Sequence, residues 1–96
     1  MHMALVKEEL QKLKEESEKG CPSFLKFVYY QYTPAKAKKK INLSEEMLAE
    51  ENLKRTISIK FVKIFHPDKN VSAPRTTQLL STEIMAHLNA FSEKLS

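Results

Sequence analysis

Apolar residues recur along this chain at intervals of three and four, the pattern that predicts amphipathic helices. The first helix is predicted over residues 4–19 and ends where Gly20 and Pro22 interrupt it. Its apolar stripe consists of Val6, Leu10 and Leu13. Because so thin a stripe supports only a marginal helix, we expect this segment to lie against the rest of the domain.

A second helix is predicted over residues 24–32, with Ser23 as its N-cap. Its two apolar faces consist of Phe24, Leu25, Val28 and Tyr32 on one side and of Phe27 and Tyr30 on the other. A helix that is apolar all round needs cover on both sides. We therefore expect the first helix to cover one face and the later helices to cover the other, which puts the aromatic rings in the core rather than on a platform for stacking bases.

A longer helix is predicted over residues 45–65, with Ser44 as its N-cap and a loosening near Asn52. Its apolar stripe consists of Leu53, Ile57, Phe61, Ile64 and Phe65. Away from that stripe lie the basic residues Arg55, Lys60 and Lys63. No acidic residue occurs between residues 52 and 65. Ile59 falls within the basic arc, either as a contact for a partner or as a contact for the lysine-rich stretch that precedes the helix.

The last helix is predicted over residues 77–94, after a loop that contains Pro74. Its narrow apolar stripe consists of Leu80, Ile84, Leu88, Phe91 and Leu95. The stripe on the preceding helix is its natural partner, because two helices joined by a short linker pack antiparallel as a hairpin. The linker would then project from the tip of that hairpin.

Composition agrees with an all-α fold and a single domain. The chain has 96 residues, only one of them Gly, and is rich in residues that favour helix. So few glycines argue against a chain of many β-hairpins.

The sequence offers no ligand set for a metal and no membrane span. Cys21 is the one cysteine, so no internal disulfide can form, and we interpret it as a small buried side chain. The three histidines are scattered, which gives no metal-ligand spacing, and no cofactor is predicted. No apolar run reaches the length of a membrane span, and charged residues interrupt the start where a signal peptide would lie. An intracellular, cytoplasmic protein is expected.

Positive charge is concentrated in the middle of the chain. The net charge is +4, and eleven of the sixteen basic residues fall between Lys26 and Arg75, against five acidic ones. An acidic partner surface is therefore expected.

Residues 33–43 are predicted to form a connection, within which residues 36–40 contain four lysines. This cluster is either a solvated loop, a contact for phosphates or anionic lipid, or part of a field that steers an acidic protein.

The predicted tip of the hairpin carries the tripeptide His66-Pro67-Asp68. Pro67 lacks a backbone N–H and disfavours the α conformation at His66, so the basic helix must end there. Asp68 places a negative charge just past the bend. No nucleophile with a base, and no paired carboxylates in a pocket, accompany His66, so we predict no catalytic residue and no enzymatic activity.

These features resemble the J domain, the DnaJ-type co-chaperone module. Its hallmark is a His-Pro-Asp tripeptide in the loop of a helical hairpin, after a basic helix. Here Lys69-Asn70 follows the tripeptide, which also matches the family. The resemblance covers residues 23–95, and the extra N-terminal helix with the long basic loop is similar to auxilin-type J domains.

The resemblance implies docking on the ATP-bound form of a DnaK-type heat-shock chaperone and stimulation of its ATP hydrolysis. Asp68 would pair with an arginine of the chaperone, while Arg55 and Lys60 would contact its acidic surface. His66 and Pro67 would shape the loop and touch the same groove. The predicted partner-binding residues are Arg55, Ile59, Lys60, Lys63, His66, Pro67, Asp68, Lys69 and Asn70.

Some features depart from the family. Ile59 occupies a position that is often basic, and the chain stops before the short fourth helix.

We expect an accessory helix over residues 1–20 and a J domain over residues 21–96, as a monomeric module of a larger protein that binds clients elsewhere. Two alternatives stay open: a basic helical module that binds nucleic acid or an anionic surface, and a J-like scaffold that docks without stimulating hydrolysis.

Overall fold

The computed structural model describes residues 2–66 and 74–95, with side chains from Lys7 onward, and this part of the chain contains helices and no β-strand. The predicted all-α class is thereby confirmed. In chain order the elements are α1 (His2–Glu18), α2 (Cys21–Tyr32), α3 (Ala35–Ile41), two 3₁₀ turns (Glu46–Leu48 and Glu50–Asn52), α4 (Leu53–Thr56), a π turn (Ile57–Phe61), α5 (Val62–Phe65) and α6 (Arg75–Lys94).

The break between α1 and α2 lies at Gly20. Its φ of 120° and ψ of 165° form a conformation that side chains rarely tolerate, so glycine is needed here. The N–H of Phe24 donates to the Gly20 carbonyl at 3.1 Å, which makes Gly20 the first residue of the helical ladder. The prediction of Ser23 as N-cap is therefore wrong. Pro22 lies in the first turn, where its missing N–H costs nothing.

The core is formed by α1, α2 and α6 together with the buried side of residues 53–65. Leu13 of α1 is fully buried, and α1 packs against both α2 and α6. The Phe24 ring lies 5.5 Å from that of Phe91 and 5.2 Å from that of His87, centroid to centroid. The stripe predicted on α6 is confirmed: Ile84 and Leu88 are buried, and Leu80, Phe91 and Leu95 pack against them. Val6, predicted in the apolar stripe of the first helix, has a side chain that the structure does not describe.

One expectation for α2 is wrong. The face opposite the core is only partly covered, since Tyr30 is 65% exposed, while Phe27 is half-buried against Tyr32 at 5.7 Å between ring centroids. The reason is that the phenol of a tyrosine can stay in water while its ring lies along the surface.

The lysine-rich segment is a helix rather than the predicted connection. Ile41 at its end is buried, and Asn42 caps it in the left-handed conformation, with φ 48° and a bond from its N–H to the Lys38 carbonyl at 2.8 Å. The Tyr29 hydroxyl also donates to the Lys38 carbonyl, at 3.1 Å. Lysines in the last turn favour the negative end of the helix dipole, so the same residues that suggested a loop stabilise α3.

The long helix starts later than predicted. Ser44 caps only a 3₁₀ turn, with its Oγ accepting from the Met47 N–H at 3.4 Å, and regular helix begins at Leu53. The Thr56 hydroxyl donates to the Met47 carbonyl at 2.8 Å, and this bond connects the first 3₁₀ turn to α4. The loosening expected near Asn52 is a full replacement of regular helix by 3₁₀ turns up to that residue, and the Asn52 side-chain amide donates to the Glu46 carbonyl at 2.9 Å.

Cys21 provides a test of core burial through pH. Its thiol is buried, and burial raises its pKa from 9.0 to about 11. The folded chain therefore holds the thiol proton more tightly than the unfolded chain. The resulting stability is fully present below the unfolded pKa and is lost as pH rises through the folded one.

We expect Cys21→Ala to be less stable than the wild type near neutral pH, because packing is lost, and the difference to shrink by about 2 kcal/mol in strong alkali. Denaturant unfolding of both proteins at neutral and at alkaline pH measures this. Other groups titrate in both proteins and cancel in the difference. Parallel stability curves at all pH values would contradict the burial of the thiol.

Candidate functional site

The candidate site begins where the basic helix ends. We call residues 53–65, which comprise α4, the π turn and α5, the basic helix. His66 follows as an exposed residue with φ −60° and ψ 137°, and its N–H donates to the Val62 carbonyl at 2.9 Å. The extended conformation agrees with the predicted effect of Pro67. The predicted site residues Pro67, Asp68, Lys69 and Asn70 lie outside the described residues.

A π turn in the middle of the basic helix sets which side chains are buried. The Val62 N–H donates to the carbonyl of Ile57, five residues back, so this turn is wider than an α turn and rotates less per residue. Four residues spaced by four are buried: Leu53, Ile57, Phe61 and Phe65. In a regular α-helix such a series drifts around the axis by about 40° at each step, and the π turn counteracts part of that drift. All four can therefore point into the core.

The basic residues remain on the other side. Arg55 and Lys63 are exposed and Lys60 is half-buried. The ion pairs found in the described residues are Lys19–Glu16 and Lys26–Glu45, and Nε2 of His87 lies 3.2 Å from a carboxylate oxygen of Glu83. None of these ion pairs uses Arg55, Lys60 or Lys63, so in this part of the molecule their charge is available to a partner.

Ile59 lies between two concavities. One, of about 330 Å³, includes Arg55, Ile59 and Lys60 in its lining, and the other, of about 840 Å³, includes Ile59, Lys60 and Lys63. The side chain is 41% exposed and borders α3 in the larger concavity. Both interpretations of Ile59 therefore fit its position, as an exposed apolar residue and as a neighbour of the lysine-rich segment. Arg55, Ile59, Lys60 and Lys63 are brought together along one side of the basic helix.

Sequence reasoning left open whether the lysines of residues 36–40 bind a partner, and it missed that a helix, α3, carries them. Lys36 and Lys40 line the larger concavity together with Lys60 and Lys63 of the basic helix. A signal was present, because Lys36 and Lys40 are four residues apart, as are Ala37 and Ile41, which is the spacing of an amphipathic helix. With Pro34 just before it, the segment was instead interpreted as a connection.

Residues 2–66 and 74–95 contain neither a cluster of metal ligands nor a membrane-spanning helix. This part contains no group of three or more histidine, cysteine or acidic side chains placed to hold a metal ion. None of its helices combines the length and the apolar character that crossing a membrane requires. At significant similarity, the chain matches no protein-family model, no curated protein and no solved structure.

Proposed function

We propose that the chain is a J-domain-type co-chaperone module. It docks on the ATP-bound form of a DnaK-type chaperone and stimulates ATP hydrolysis by that chaperone. In this proposal α6 and the basic helix form the hairpin, His66-Pro67-Asp68 lies in its loop, and the module contributes no catalytic group of its own. The proposal extends to the larger protein that would supply the client-binding part.

One observation carries the proposal: His66 is exposed at the end of a helix whose buried and basic faces are separated. Phe61 and Phe65 are buried while Lys63, between them, is exposed. His66, the first residue of the tripeptide, thus follows directly on a positively charged surface. α5 packs against α6, so this end of the basic helix is held in place and does not need to order when a partner arrives.

The basic residues and Asp68 would contribute to docking in different ways. The exposed Arg55 and Lys63 and the half-buried Lys60 would raise the rate of association with an acidic surface and make it dependent on salt. Asp68 has the opposite sign, so it would have to find a cation within that acidic surface. A buried pair of this kind is worth about 2–5 kcal/mol when one partner is removed. The specificity of docking would therefore depend on Asp68 more than on any single lysine.

We expect Asp68→Asn to abolish stimulation. The measurement is single-turnover ATP hydrolysis by a DnaK-type chaperone, titrated with the wild type and with the variant. A loss of about 2–5 kcal/mol in docking lowers affinity by at least about thirtyfold, so the variant should leave the basal rate unchanged over the working range.

Glu18→Gln is the matched control, because it also replaces one carboxylate by an amide, on an exposed residue of α1 rather than of the basic helix. It should stimulate as the wild type does, and circular dichroism should show equal helix content in all three proteins. Stimulation by Asp68→Asn equal to that of the wild type would refute the proposal.

Hydrolysis and binding measurements together distinguish the two alternative functions. A binder of nucleic acid or another polyanion would leave hydrolysis unchanged, would lose affinity steeply with salt, and would be indifferent to Asp68→Asn. A docking scaffold would bind the chaperone, lose that binding in Asp68→Asn, and still not stimulate hydrolysis. The exposed apolar Ile59, at a position often basic in J domains, is the feature that favours this last alternative.

A further inference from the structure

A groove runs between α3 and the basic helix. It has a volume of about 840 Å³, which lies within the range of sites that hold small ligands or a few peptide side chains. Its lining residues are Pro34, Lys36, Ala37, Lys40, Ile41, Ile59, Lys60, Lys63 and Ile64. These divide into an apolar floor and a charged rim.

Among the described residues, the charged rim is purely basic. Lys36 and Lys40 contribute from α3, and Lys60 and Lys63 contribute from the basic helix. No acidic residue of the described ranges lines the groove, and the ion pairs of these ranges do not include any of these four lysines. Four like charges around one concavity repel each other and focus a positive field into it. Such an arrangement favours a ligand that carries several negative charges.

The floor is apolar. Ala37 and Ile41 come from α3, and Ile59 and Ile64 come from the basic helix. Ile41 is buried at the base, whereas Ile59 stays 41% exposed. An exposed isoleucine surrounded by lysines gains free energy when an apolar group covers it, about 25 cal/mol for each Å² removed from water.

We propose that this groove binds an acidic peptide segment of a partner protein, one in which an apolar side chain lies between carboxylates. The apolar side chain would cover Ile59 and Ile41 while the carboxylates pair with the rim lysines. Polyanions fit less well: a phosphate backbone would leave the floor uncovered, none of the described residues that line the groove is an arginine or an aromatic residue for bases, and a flat anionic bilayer cannot fill a concavity. The groove shares Ile59, Lys60 and Lys63 with the proposed docking surface, whereas its α3 wall lies outside that surface.

The test is fluorescence anisotropy with a labelled peptide in which leucines alternate with glutamates. Lys36→Gln combined with Lys40→Gln should weaken binding about tenfold. Lys39→Gln combined with Lys54→Gln removes the same charge from exposed lysines outside the groove, and should change affinity by less than about twofold. Ile59→Ser should weaken binding about fivefold without changing the charge.

Three further probes separate the possible ligands. A peptide with serine in place of leucine should bind about fivefold more weakly than the original. Single-stranded DNA and phosphatidylserine vesicles should show no dependence on Ile59. No binding of the original peptide to the wild type, equal effects of the two lysine pairs, or tighter binding of DNA or vesicles would each overturn the proposal. Because the peptide assay contains neither chaperone nor nucleotide, its failure and a failure of the hydrolysis assay are distinguishable.

Discussion

Replacing Phe61 by alanine is expected to lower the free energy of unfolding by about 3–5 kcal/mol. Phe61 is fully buried at the end of the π turn and belongs to the core cluster that joins the basic helix to the rest of the molecule. Removal of the ring would lose its transfer free energy and leave a cavity. Domains of this size have about 5–15 kcal/mol of stability in total, so the variant would be close to unfolding.

Urea denaturation followed by circular dichroism measures this effect. Ile59→Ala, two residues earlier in the same turn, is the matched control because its side chain is 41% exposed, and it should cost less than about 1 kcal/mol. A small loss for Phe61→Ala, equal to that of Ile59→Ala, would contradict the orientation that the π turn gives to these two side chains.

Removing residues 1–19 is expected to have an even larger effect and to abolish cooperative unfolding. α1 packs against both α2 and α6, and Leu13 is fully buried between them and the rest of the core. Without α1, the surfaces of α2 and α6 that it covers would face water. A chain of 96 residues has a small core, and the shorter chain would retain too little of it.

Thermal unfolding of the shortened and full chains tests this directly. Leu13→Ala should lie between them, with a loss of about 2–5 kcal/mol, while Lys14→Ala, at the next and exposed position, should be nearly neutral. If the shortened chain unfolds as cooperatively and at the same temperature as the full one, α1 is an accessory helix, as the division at residue 20 predicts.

The sequence predicted the elements that depend on long apolar stripes. The α6 stripe around Ile84 and Leu88 was identified correctly, because twenty residues of consistent periodicity outweigh local preferences. The start of α2 was missed because Ser23 is a favourable cap, whereas the cap is decided by the backbone at Gly20 and by Pro22 in the first turn. Local propensity alone does not distinguish these two starts.

The middle of the chain was harder to predict, because tertiary contacts decide its conformation. α3 is held by the Tyr29 hydroxyl and by burial of Ile41, neither of which a reading of local composition includes. A regular helical wheel also places Ile59 among the basic residues without showing the concavities beside it. Of the candidate site, the basic face of the helix was predicted, but the contribution of α3 was not.

The π turn also affects how this chain can vary in length. A π turn holds one residue more than the α turn that it replaces, so residues 57–61 can lose one residue by returning to regular helix. In α6, by contrast, a single deletion would rotate everything beyond it by about 100° and turn Leu88 out of line with Ile84. Among relatives of this chain, single-residue deletions would therefore be tolerated best at the π turn, which carries Ile59 and Lys60.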